Sequence, residues 1–115
     1  MSSWLANQSC WSYLERCELD RVGAKCKRYP QLELESGHTD EGDPWCVVCN
    51  QEDEGVILHI ARIDGRYVII WPGEPRVQRT SSIAAAVAIA LTGLDHVARL
   101  PRGADDLLKL NCANV

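Results

Sequence analysis

The sequence predicts an α+β fold of two layers, formed by a single domain over residues 1–115. Three observations support this prediction: a helical pattern near each end, β-favouring segments between them, and an Asp64-Gly65 dipeptide that joins two of those segments. A chain of 115 residues is about one domain long. Its 46% hydrophobic and 24% charged residues are typical of a globular protein and exclude wholesale disorder.

A first helix is predicted over residues 9–21. Ser9 can cap its amino terminus, and Ser12 with Glu15 forms a second capping pattern. Gly23 is expected to lie just beyond its end. Three side chains recur at helical spacing on one stripe, which predicts that they form the core-facing side of this helix. They are Cys10, Leu14 and Cys17.

Three to four antiparallel strands are predicted in the middle of the chain, the first of them at the edge of the sheet. Asp64-Gly65 favours a two-residue type I′ turn, which places Arg62 opposite Tyr67. Both sides of this hairpin are largely apolar, so we expect it to be central in the sheet or covered on both sides. The predicted strands span residues 31–35, 45–49, 56–63 and 66–71.

A second helix is predicted over residues 82–92, packed on the sheet and closed by Gly93. Its run Ile83–Leu91 is apolar all round, so it needs cover on more than one side. That cover can come from a short C-terminal helix around Leu107–Leu110. It can equally come from a second copy of the chain, in which case the protein is a homodimer.

Charge is distributed unevenly along the chain. Residues 31–55 hold eight acidic side chains and no lysine or arginine, a formal charge of −8 in a chain whose net charge is −4. We expect a solvated loop there, or a surface for a basic partner. The basic cluster at residues 25–29 is expected to sit against this acidic segment. The element order resembles that of the double-stranded-RNA-binding fold, but the basic helix start and loop of such modules are missing, so nucleic acid is not expected as a partner.

Two features of the sequence indicate a compartment. The first eight residues show neither a basic leader nor an apolar run of signal-peptide length. The longest apolar run, Ile83–Leu91, is far shorter than the ~20 residues needed to cross a bilayer. We therefore expect a cytoplasmic protein without membrane contact, in which the six cysteines stay reduced.

Cys46 and Cys49 have the C-x-x-C spacing of half a zinc knuckle. A zinc site would need two more ligands. The alternative is a buried strand in which these two thiols are small hydrophobic groups on opposite faces. The candidates for the remaining ligands are Cys17, Cys26, His38, His59 and Cys112.

The acidic loop at residues 38–43 suggests a second metal chemistry. Asp40, Glu41 and Asp43 offer carboxylate oxygens at a density that can hold a divalent cation such as Mg²⁺, Mn²⁺ or Ca²⁺. Together with His59 and Arg62 on a nearby strand, they would suit a metal-dependent hydrolase of phosphodiesters. The alternative is an ordinary acidic loop.

His59 lies in the middle of a predicted strand, and its role has two interpretations. If Cys49 pairs with Val56, then Cys46 lies across from His59, as in an activated cysteine nucleophile. The alternative interpretation is a core histidine that is hydrogen-bonded to a backbone or carboxylate partner.

Arg79, Ser81 and Ser82 precede the second helix, whose amino terminus carries a partial positive charge. This arrangement favours a bound phosphate or carboxylate. The alternative is ordinary helix capping beside a solvated arginine.

The sequence contains no complete catalytic motif, so it favours binding over catalysis. We expect a small protein-binding or regulatory domain that self-associates through the alanine-rich helix. The first alternative is the metal-dependent hydrolase, and the second is a zinc-stabilised module around Cys46 and Cys49.

Overall fold

A computed structural model of the chain describes residues 11–74 and 76–99. The five strands form one antiparallel sheet in chain order, β1-β2-β3-β4-β5. The predicted α+β class is confirmed, with one strand more than predicted. The elements are α1 (Tyr13–Cys26), β1 (Leu32–His38), β2 (Pro44–Asn50), β3 (Gly55–Ile63), β4 (Arg66–Ile70), β5 (Val77–Thr80) and α2 (Ile83–Arg99).

Helix α1 begins at the second of the two predicted caps. The Ser12 hydroxyl accepts from the backbone N–H of Glu15, and the Glu15 carboxylate accepts from the backbone N–H of Ser12. The helix then continues past Gly23 to Cys26, so its predicted end was five residues too early. Ser9 lies outside the described residues.

The predicted core-facing stripe of this helix was wrong. Leu14 is 73% exposed and Cys17 is also exposed, while Cys10 lies outside the described residues. A different face is buried, and it includes the carboxylate of Glu15. The buried side chains of the helix are Glu15, Leu19, Val22 and Cys26, and Trp11 just before the helix is also buried.

The β3–β4 hairpin has the predicted turn and register. Asp64 and Gly65 have φ angles of 52° and 75°, the positive values that a type I′ turn requires. Arg62 pairs with Tyr67, and the ladder continues to His59 opposite Ile70. β3 is the middle strand of the five.

A β-bulge between Val48 and Cys49 shifts the register of β2 against β3. Cys49 pairs with Val56, but beyond the bulge Cys46 pairs with Ile60 and Val47 pairs with His59. The predicted juxtaposition of Cys46 and His59 was therefore wrong, because the unpaired Ile57 of β3 shifts the ladder by one residue and places Ile60 opposite Cys46.

The segment before α2 forms β5, which was not predicted because Val77–Thr80 is short and mostly polar. Helix α2 also runs through Gly93, where the sequence predicted its end, and continues to Arg99. A Cβ atom at Gly93 would lie 2.2 Å from the Trp71 ring, so this glycine allows close helix–strand packing. The predicted C-terminal helix at Leu107–Leu110 lies outside the described residues.

Both helices lie on one side of the sheet and contact each other. A single core cluster joins them to the sheet, through residues such as Val22, Val87, Leu94, Ile60 and Ile69. The sheet and α1 thus supply the cover that the alanine-rich run Ile83–Leu91 needs, and within this run only the small side chains of Ala84 and Ala88 remain exposed. In the part of the chain that is described, no helix is long and apolar enough to cross a membrane.

Candidate binding surface

The sheet has an inner face under the helices and an outer face on the opposite side. Side chains alternate between the two faces along each strand. In β2, Cys46 and Val48 are only 2% and 1% exposed on the inner face, whereas Val47 and Cys49 are half-buried on the outer face. Among the described residues, both helices pack on the inner face and none covers the outer one.

Two rows of side chains cross the outer face, and each of the five strands contributes one residue to each row. Most of these side chains are apolar, and the indole ring of Trp45 packs over Gly37. The apolar surface thus extends over the middle three strands. The first row is Glu35, Val47, His59, Ile70 and Val77, and the second is Gly37, Trp45, Ala61, Val68 and Arg79.

Charge is confined to the two edges of the outer face. Glu33 and Glu35 lie on β1, where their carboxylates accept from Gln51 Nε2 at 3.0 Å and from Cys49 Sγ at 3.5 Å. These acidic neighbours add to the effect of burial and raise the pKa of the Cys49 thiol. Arg66 and Arg79 are exposed on β4 and β5, at the other side of the face. The outer face is therefore acidic at one edge, apolar in the middle and basic at the other edge.

His59 lies at the centre of the outer face. Its ring meets the Trp45 indole edge-on, with 6.4 Å between the ring centroids. Its Nε2 atom is buried and has no hydrogen-bond partner. Burial lowers the pKa of this imidazole, so it is neutral at physiological pH. The expected hydrogen-bond partner of a core histidine is thus missing at Nε2.

The inner side contains a polar cluster that the sequence did not reveal. Glu15 is only 5% exposed; its carboxylate accepts from Tyr67 Oη at 2.6 Å, from the backbone N–H of Ser12 at 2.7 Å, and from the Arg62 guanidinium. The guanidinium also lies 5.9 Å from the centroid of the Trp11 ring, a cation–π contact.

Hydrogen bonds and charge determine the ionisation state of this cluster. Burial alone would raise the pKa of Glu15, but the hydrogen bonds from Tyr67, Ser12 and Arg62, with the charge of Arg62, lower it below its ordinary value. Burial and the Glu15 carboxylate raise the pKa of Tyr67 to about 12. Each partner is thus held in its usual charge state, and the cluster fastens the start of α1 to β3 and β4. The only sequence signal for it was the Ser12–Glu15 capping pattern.

The five candidate hydrolase residues do not converge. Asp40, Glu41 and Asp43 lie in the loop between β1 and β2. His59 lies on the outer face of β3, whereas Arg62 points to the inner side and binds Glu15. In the described ranges, no group of three or more histidine, cysteine or acidic side chains could hold a metal ion. Alternation along β3 thus places the predicted base, His59, and the predicted cation, Arg62, on opposite faces of the sheet.

The two thiols of the predicted zinc site are likewise separated. Cys46 and Cys49 point to opposite faces of β2, so they cannot ligate one ion. Burial and the nearby Cys26 raise the pKa of the Cys46 thiol to about 12, which keeps it protonated. Cys17 and His38 are exposed on α1 and β1, and Cys112 lies outside the described residues.

The remaining predicted groups have local roles. The Ser82 hydroxyl caps α2 by accepting from the Ala85 N–H at 3.2 Å. Ser81 is exposed, and Arg79 lies on the outer face, away from the helix amino terminus, so the three residues do not form the predicted anion site. In the basic cluster, Lys25 pairs with Asp95 of α2 at 2.8 Å rather than with the acidic segment.

A cleft of about 570 Å³ lies between α2 and the strands β4 and β5. Trp71, Ile89 and Val97 form its apolar wall, and Arg76 and His96 lie at its rim. The Trp71 indole N–H donates to Gln78 Oε1 at 3.1 Å, so the polar atom of this wall is already satisfied. Among the described residues that line this cleft, no group of three or more histidine, cysteine or acidic side chains could hold a metal ion.

No protein family, no curated protein and no solved structure matches this chain. We therefore infer its function from the geometry of the described residues. The polar groups of the inner side are paired within the chain. The outer face is apolar, open and edged with opposite charges.

Proposed function

We propose that the protein is a small protein-binding domain that self-associates through its outer face. The observation that carries this proposal is the apolar surface between the two charged edges, on which no described element packs. Five strands about 4.8 Å apart make this face about 20 Å wide. Exposed apolar patches that are rimmed by polar residues and larger than a few hundred Å² mark interaction sites on protein surfaces.

The position of the apolar side chains favours a protein partner. Val47 of β2 and Val68 and Ile70 of β4 lie on either side of β3 on the outer face. Val77 is 44% exposed at the edge. Burial of such side chains contributes about 25 cal/mol for each Å² removed from water. A second sheet can cover them at the usual spacing of about 10 Å between packed sheets.

Binding also fits the distribution of polar groups better than catalysis does. The side chains that could take part in catalysis are separated, because His59 and Arg62 lie on opposite faces of the same strand. The inner cluster around Glu15 fastens α1 to the sheet. We include a cytoplasmic location in the proposal, since the free thiols of Cys17, Cys26, Cys46 and Cys49 suit a reducing compartment.

Sedimentation equilibrium of the full chain tests this proposal. We expect the mean mass to rise from 12.8 kDa in dilute protein toward twice that value as the concentration increases. Val47→Lys places a charge in the middle of the outer face and should hold the chain at the mass of one copy. Asp20→Lys, on the exposed side of α1, is the matched control and should associate like the wild type.

Two results would contradict the proposal. A wild-type chain that keeps the mass of one copy at every concentration does not self-associate. A Val47→Lys chain that associates as strongly as the Asp20→Lys control does not use the outer face.

A further inference from the structure

We infer that two copies pair outer face to outer face about a two-fold axis parallel to the strands, so that β1 of each copy lies over β5 of the other. This inference rests on the proposed function and adds the arrangement of the partner. It follows from the positions of the charges on the outer face and from the strand order.

The acidic and basic edges lie on opposite sides of the sheet. Glu33 and Glu35 are exposed on β1, the first strand in the order, and the apolar rows separate them from Arg66 and Arg79 on β4 and β5. In β1 the outer positions hold no basic side chain, and in β4 and β5 they hold no acidic one. A second copy that is rotated by 180° about an axis parallel to the strands therefore places its basic edge over the acidic edge of the first copy.

A two-fold axis between stacked sheets has two simple orientations. An axis across the strands would lay β1 over the partner's β1 and bring four glutamates together. An axis parallel to the strands lays β1 over the partner's β5, where Glu35 lies diagonally across from the partner's Arg79 in the adjacent row. Like charges across an interface disfavour the first arrangement and opposite charges favour the second.

The favoured axis passes over β3, the middle strand. It therefore brings His59 of one copy near the same residue of the other, with the apolar side chains of Val47 and Ile70 on either side. Two neutral imidazoles are compatible with this position, whereas two charged ones would repel. The lowered pKa of His59 agrees with a neutral centre.

A charge-reversal cycle on the full chain tests the arrangement. The variants are Glu35→Lys, Arg79→Glu and the two combined, and the measurement is the dimer dissociation constant by sedimentation equilibrium. Each single reversal creates two repulsive contacts per dimer, so we expect dissociation constants about tenfold weaker than wild type. The combined variant restores both contacts with reversed polarity, and its dissociation constant should return to within about threefold of wild type.

Asp20→Lys and Arg21→Glu on α1 are the matched controls, since they change the net charge equally on the far side of the molecule. Both should leave the dissociation constant unchanged.

Three outcomes would overturn the inference. Tighter binding by Glu35→Lys would show that this residue meets the partner's glutamates, as the axis across the strands requires. A combined variant no tighter than the single ones would show that positions 35 and 79 do not meet. In both cases association persists, so the proposed function survives. A wild-type chain that never associates would overturn the inference and the proposed function together.

Discussion

The inner and outer faces of the sheet are made by alternate residues of the same strands, yet the described helices cover only the inner face. On the inner face, Val48 is 1% exposed, and the buried carboxylate of Glu15 has partners for both oxygens. On the outer face, the neighbouring Val47 is only half-buried, and the buried Nε2 of His59 has no partner. The inner face therefore accounts for the fold, and the outer face is the better candidate for function.

The largest expected effect comes from breaking the inner polar cluster. Glu15→Ala leaves Arg62 and Tyr67 without their shared acceptor in a partly buried site. We expect a loss of about 3–5 kcal/mol in the free energy of unfolding, measured by urea denaturation. Glu18→Ala, one turn away on an exposed surface pair, should cost less than about 0.5 kcal/mol. Equal losses for the two variants would show that the buried cluster does not hold α1 to the sheet.

A smaller effect separates the two faces within one strand. Val48→Ala should lower the free energy of unfolding by roughly 2–3 kcal/mol, because it opens a cavity in the core. Val47→Ala in dilute protein should cost under about 1 kcal/mol, since water already reaches this side chain. A loss at Val47 as large as that at Val48 would mean that the outer face is covered within a single chain.

Gly93 tests the close packing of α2 on the inner side. Alanine in a helix usually stabilises by about 1 kcal/mol relative to glycine. At this site the added Cβ would meet the Trp71 ring at 2.2 Å, so we expect Gly93→Ala to destabilise by about 1–2 kcal/mol instead. Gly73→Ala, where nothing lies within 4 Å, is the control and should change the melting temperature little. A stabilised Gly93→Ala protein would contradict this packing.

The smallest effect is a pH dependence that distinguishes the faces. The pKa of His59 is lowered from 6.5, so the unfolded chain takes up the proton first, and stability should fall as the pH drops through this value. Burial is the cause of this lowered pKa, and Glu35 is the charged side chain in the same row of the outer face, two strands away.

We expect no more than about 1 kcal/mol from His59, and none in His59→Gln. Glu15 has a pKa below 4.5, so its contribution is present above that value and is lost only as the pH falls further, through its lowered pKa. Denaturation curves at several pH values check both ranges. Wild-type and His59→Gln proteins with the same slope near pH 6.5 would contradict the assignment to His59.

Sequence patterns predicted the parts of the fold that local rules determine. Asp64-Gly65 determined the β3–β4 register, because a two-residue turn with two positive φ angles allows one pairing. The β2–β3 register was beyond such rules, since the bulge at Val48 and Cys49 depends on how the sheet packs. That single shift removed the predicted pairing of Cys46 with His59.

The candidate site was harder to predict than the fold. A glutamate in a helix is normally placed on the solvent side, so the periodicity of α1 favoured the Leu14 stripe and concealed the buried Glu15. Arg62 was assigned to a candidate catalytic site because its partner, Glu15, lies 47 residues earlier in the chain and no local pattern connects the two. The composition of the outer face could not be predicted from the sequence, because it depends on the strand pairings that place each residue on one face of the sheet.

The most direct test of the central claim is the rate at which a small alkylating reagent modifies Cys49 on the outer face, relative to exposed Cys17 on α1, followed by peptide mass spectrometry. If two copies meet through the outer face, Cys49 becomes progressively protected as the protein concentration rises, while Cys17 reacts at a constant rate. Val47→Lys should abolish this protection. A Cys49 rate that does not change with concentration would contradict the claim that the outer face is the binding surface.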